Sequence, residues 1–226
     1  MAGPTVGRSG GRVTHRPEPA VLPPAPRAWL GLVAVCAALV VVVLGILYAG
    51  HSRPGTVDRW FVDPTDDSVG PPWRPVALTV DFLAEPAGSV LVMAAVVAVL
   101  LWRGRPRAAV FAVVAVGLTV VVATLVKSFV GRTIHGPENL SYPSGHTAFL
   151  TAVALVLTMA LARRLAYVLL LALAAGSVMG WAQVALSAHY PTDVLAGWCT
   201  ALTVVPVTAW GAARVTARRT GRATPR

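Results

Sequence analysis

The sequence predicts an all-α integral membrane protein in which six helices cross a bilayer as one bundle. Three observations carry this. Of 226 residues, 56% are hydrophobic and only 12% charged, whereas ordinary soluble domains carry about a quarter charged residues. The apolar residues fall in runs of bilayer-spanning length. Arginines punctuate those runs instead of being scattered through them.

Residues 1–27 are rich in Pro, Gly and Arg without apolar periodicity, which predicts a disordered cytoplasmic tail. The run from Trp29 to Gly50 is too long for a signal-peptide core, and no clear small-residue cleavage site follows it, so it is expected to span. From His51 to Pro86 the chain turns polar, with Asp58, Asp63, Asp66 and Asp67 beside Trp60 and Trp73; this suits a membrane-surface segment. The second span is expected over Phe82–Trp102, with Glu85 near its outer end. Arg103, Arg105 and Arg107 around Pro106 form a tight turn into a third span, Ala108–Val126. A polar loop from Lys127 to His146 follows, then a short fourth span from Thr147 to Ala162. Arg163 and Arg164 turn the chain into a fifth span, Leu165–Ala188, and Asp193–Ala213 forms the sixth. Residues 28–213 thus make one transmembrane domain, and residues 214–226 a basic cytoplasmic tail.

Charge placement tests this layout independently. Alternating the spans puts fourteen of the nineteen Lys and Arg residues on one side, including Arg103, Arg105, Arg107, Arg163 and Arg164. Arg53, Arg59, Arg74, Lys127 and Arg132 fall on the other, together with every acidic residue except Glu18. The basic side is cytoplasmic by the positive-inside rule, so both termini are expected there. The net charge of +10 therefore reflects topology. Nucleic-acid binding is not indicated, because no basic patch carries interleaved aromatics. Cys36 and Cys199 lie in apolar runs and read as small buried groups, neither a disulfide framework nor a metal site.

Ionisable groups near hydrocarbon are costly and mark function. Lys127, the Ser144-Gly145-His146 turn, His189 and Asp193 sit at the outer ends of spans three to six, where antiparallel packing would gather them. The helix start at Ser144 offers free N–H groups to an anion, and Lys127 adds a point charge. His189 can attack phosphorus if a carboxylate orients it, and Asp193 lies one helical turn on. His146 can protonate a departing oxygen. Taken singly, each also has a plain structural role: a capping histidine, an N-terminal helix acid, a snorkelling lysine.

The strings Tyr142-Pro143-Ser144-Gly145-His146 and His189-Tyr190-Pro191-Thr192-Asp193 resemble the type 2 phosphatidic acid phosphatase family, whose site is shared with vanadium haloperoxidases. The resemblance covers about Val126–Gly197 in motifs. It implies an acid-phosphatase/haloperoxidase-like helical core and metal-independent hydrolysis of a lipid phosphate or diphosphate at the extracytoplasmic face, with no cofactor. Phosphatidate, phosphatidylglycerol phosphate and polyprenyl diphosphates are the substrate types it implies. His189 would be the nucleophile, Asp193 its partner and His146 the acid; Lys127, Ser144 and Gly145 would hold the phosphate. Two family arginines are missing. Ile134 and His135 stand where the family has Arg-Pro after Lys127, and Ala182 and Gln183 stand for Ser-Arg before His189. Arg132 is expected to compensate for the first and Gln183 to donate a neutral hydrogen bond in place of the second. The alternative is a catalytically silent relative that binds a lipid head group or a partner protein.

Overall fold

The computed structural model describes residues 27–65, 69–161 and 164–222, so the expected N-terminal tail lies outside the described residues except for Arg27, which opens the first helix. Eight helices follow in order: α1 (Arg27–Tyr48), α2 (Thr56–Thr65), α3 (Trp73–Phe82), α4 (Pro86–Trp102), α5 (Pro106–Val130), α6 (Gly145–Leu161), α7 (Leu165–Ala185) and α8 (Pro191–Arg222).

The segment read as a surface connection, residues 51–86, holds the two additional helices, α2 and α3. α4 starts at Pro86, four residues later than the expected second span, because a proline is favoured at the first helical position and cannot continue α3. The axes of α3 and α4 diverge by 65°. Gly88 permits this bend: a Cβ there would lie 1.7 Å from the Phe82 carbonyl oxygen. α5 runs past the expected end at Val126 and stops at Gly131, which takes a left-handed φ of 63°, so Lys127 stands in its last turn. Residues 214–222, expected as tail, continue α8.

Among the described residues, four helices are long and apolar enough to cross a membrane: α1, α5, α7 and α8 through Val215. The bent α3–α4 pair meets the same criterion taken together, and α6 is shorter. At 17 residues and 1.5 Å per residue, α6 is about 26 Å long, a little under the hydrocarbon thickness of a bilayer. It can be short because it is the central helix. Packed by α5, α7 and α8, it buries Ala148, Phe149, Ala152, Leu155 and Val156. The outer faces are apolar: Leu39 and Ile46 on α1, Val110 and Val121 on α5, and Leu170 on α7 are all exposed. Apolar surface that extensive needs a non-aqueous surrounding, and the chain is a multi-pass membrane protein.

Small residues set the helix spacing. At Gly176 and Gly180 a Cβ would lie 2.3 Å from Trp198 and Val194 respectively, and at Gly197 it would lie 2.3 Å from the Ser144 carbonyl oxygen. The last approach brings α8 against the start of α6, where the candidate site lies.

Candidate active site

Three elements converge at one end of the bundle: the start of α6, the α7–α8 turn, and the loop after α5. The Ser144 N–H donates to the Asp193 carbonyl oxygen at 2.9 Å, joining the first turns of α6 and α8. Ser144 caps α6, its Oγ accepting the Thr147 N–H at 3.3 Å, while its carbonyl oxygen accepts from Ala148. The N–H groups of Gly145 and His146 remain as the unsatisfied donors of the first turn. Both residues are half-buried, whereas Ser144 is fully buried. Gly145 has open space around its Cα, with nothing within 4 Å of an added Cβ.

The loop from Gly131 to Ser144 is drawn in by a bridge pairing Thr133 with Leu140. Lys127 Nζ donates to the Leu140 carbonyl oxygen at 2.8 Å and is only half-buried, so its remaining donors stay available. His189 is 8% exposed. Its Nδ1 has no hydrogen-bond partner and lies 3.9 Å from Asp193 Oδ2, an ion-pair distance. Burial holds the imidazole below its usual basicity; Asp193 opposes that effect, and the charges of Lys127 and His146 add to it. Asp193, Lys127 and His146 thus all lie close enough to His189 to act on it electrostatically.

Arg132 and Gln183 are placed differently from the expectation. Arg132 is fully buried, with its guanidinium bound by Asp193 Oδ1, Thr192 Oγ1 and Asp58 Oδ2, each at 2.6 Å. The rings of Tyr48 and Tyr190 cover it at 4.1 and 4.5 Å, a cation–π sandwich. Its charge is committed to two carboxylates and is not open to an anion. Gln183, 1% exposed, donates through Nε2 to Asp81 Oδ1 at 2.6 Å. Ile134, at the position of the family arginine, is buried.

Three acidic residues enter the site that the sequence reading did not assign. Asp58, on α2, takes the Gly55 N–H at 2.9 Å, the Thr192 N–H at 3.0 Å and the Thr192 hydroxyl at 2.8 Å in addition to Arg132. Asp81 and Glu85, at the α3–α4 bend, each lie 3.5 Å from His146 Nε2. Among the described residues, Asp81, Glu85 and His146 form the one grouping whose donor atoms lie within 4.8 Å of one another, close enough to share a cation. In sequence these carboxylates stand in a polar connection where solvated acids are ordinary. The one available signal was their position on the same side of the membrane as the motif residues.

Residues 108–216 match the family model of the PAP2 superfamily. The matched span is just under half of the chain. All of the motif residues above lie within it, whereas Asp58, Asp81 and Glu85 precede it. Among solved structures, the chain is similar to a transmembrane PAP2-type phosphatidylglycerolphosphate phosphatase from Bacillus subtilis. The TM-score is 0.63 at 17% identity, covering 80% of this chain and 96% of that one; at that identity the likeness concerns the fold. No curated protein matches the chain.

Proposed function

We propose that the protein is a lipid phosphatase that acts at the extracytoplasmic face of the cell membrane, with both termini in the cytoplasm. The observation that carries this reading is that Asp193, His146 and Lys127 all act electrostatically on His189, with His146 in the first turn of α6. Similarity to the PAP2 superfamily over residues 108–216 supports phosphate ester chemistry, and the excess of basic residues at the opposite ends of the spans supports the orientation.

The phosphate would sit against the Gly145 and His146 N–H groups, with Lys127 on its oxygens. Nδ1 of His189 faces Asp193, so Nε2 is the nitrogen that attacks phosphorus. As the P–N bond forms, the P–O bond to the lipid breaks, and its electron pair stays on the leaving oxygen. That oxygen takes a proton from His146. Asp193 stabilises the imidazolium cation that develops at His189. Arg132 is shared between Asp58 and Asp193, so the cluster keeps net negative charge for this task. Water then hydrolyses the phosphohistidine with His146 as base.

The test is phosphate release by the full chain in detergent micelles, over phosphatidate, phosphatidylglycerol phosphate and a polyprenyl diphosphate. Turnover of at least one is expected; none would contradict the reading. A catalytically silent head-group binder is the second reading, favoured by the commitment of Arg132 and Gln183 to carboxylates. It requires lipid phosphate to bind without release.

The mechanism also sets a pH dependence. Neutral His189 is the nucleophile, and burial lowers its pKa from the ordinary 6.5. Phosphoryl transfer in a single turnover should therefore persist below pH 6.5, its acid limb marking protonation of His189. Lys127 also depresses that pKa, so Lys127→Met should move the limb toward higher pH while slowing the reaction. A limb that stays in place would separate Lys127 from His189.

A further inference from the structure

The α3–α4 bend carries two carboxylates to the acid side of the site, and neither belongs to the superfamily-matched region. α3 lies along α7, with Ala77 packed on Ala182 and Ala185 and Trp73 edge-on to Trp181 at 6.4 Å. The chain then breaks at Leu83–Glu85, and Gly88 lets α4 fold closely over the Phe82 carbonyl. Asp81 and Glu85 are four residues apart across this break, and both approach His146 Nε2 at 3.5 Å. Nε2 is buried and has no other partner.

Asp81 is anchored. Gln183, itself buried, grips its Oδ1 at 2.6 Å. The amide at this position has a consequence of its own. An arginine would pair with Asp81 and neutralise it; a glutamine fixes the carboxylate and leaves its full charge directed at His146. The position at which the chain departs from the family pattern therefore changes what the neighbouring carboxylate can do.

We infer that Asp81, gripped by Gln183 and accompanied by Glu85, is a positioning residue that holds the His146 ring in its proton-donating pose. The inference rests on the phosphatase reading above. With Nε2 turned to the carboxylates, Nδ1 is the nitrogen that hands its proton to the leaving oxygen. The carboxylates keep the ring oriented before and after transfer, as a second carboxylate does for many catalytic histidines.

The experiment compares two phosphate monoesters, phosphatidate and 4-nitrophenyl phosphate, with the full chain in detergent micelles. An alkoxide needs a proton to leave; nitrophenolate does not. Asp81→Asn keeps the shape and an oxygen acceptor for Gln183 but removes the charge. It should lower kcat on phosphatidate by about tenfold or more and change the aryl ester less than about threefold, with the melting temperature preserved. Asp81→Glu should recover part of the phosphatidate rate. Equal losses on both esters, or no loss on phosphatidate, would overturn the positioning role. So would loss of wild-type activity on chelation with recovery on adding a divalent cation, which would reassign Asp81, Glu85 and His146 to a cation. A wild type inert to both esters, to phosphatidylglycerol phosphate and to a polyprenyl diphosphate, while binding phosphatidate, would instead remove the phosphatase reading, and this inference with it.

Discussion

Replacing Arg132 with methionine is expected to destabilise the folded protein by about 3–5 kcal/mol, the usual cost of breaking a buried ion pair from one side. Asp58 and Asp193 are both fully buried and both bonded to this guanidinium at 2.6 Å. Without it, two carboxylates would share one enclosed space with no cation between them, and the Tyr48 and Tyr190 rings would lose the group they cover. The loss should appear as a lower midpoint of unfolding in micelles, together with loss of activity, because Asp193 would no longer be held beside His189. Arg132→Met combined with Asp58→Asn should be less destabilised than the sum of the single changes, since the second removes one of the stranded charges. Strict additivity, or a wild-type midpoint for Arg132→Met, would show that the network does not hold the site.

His189→Ala has the opposite profile. Nδ1 makes no hydrogen bond in the folded protein, so removing the ring should leave the unfolding midpoint within about 1–2 kcal/mol of wild type. Catalysis should nonetheless fall by about three or more powers of ten, because the proposed phosphohistidine can no longer form. KM should change little, since the α6 N–H groups and Lys127 are assigned to hold the phosphate. A variant that retains most of its turnover would assign the chemistry elsewhere.

The contrast between these two residues bears on what the sequence could reveal. His146, His189 and Asp193 drew attention in the sequence because they stand in short strings at helix starts that resemble the motifs of a phosphatase family. The apolar runs were legible, since length and composition decide what can cross hydrocarbon. Their boundaries moved where local chemistry intervened: Pro86 began α4 late, and Gly131 let α5 run beyond Val126. The partners of Arg132 and Gln183 were not legible. Arg132 and Asp58 are 74 positions apart, and Gln183 and Asp81 are 102 apart. Nothing local marks such a pair. A lone aspartate in a polar connection has the same sequence appearance whether it faces water or closes a buried network. For that reason residues 51–86 read as a surface segment, whereas their helices supply carboxylates to both sides of the site.

The reading as a whole depends on His189 carrying the phosphoryl group. The most direct measurement is to mix the full chain with lipid phosphate radiolabelled in the terminal phosphoryl group, quench in alkali, where phosphohistidine survives, and map the label. Label on the peptide that contains His189, absent from His189→Ala, is the predicted result. Turnover of the same lipid with no label at His189, or with label on another residue, would contradict it.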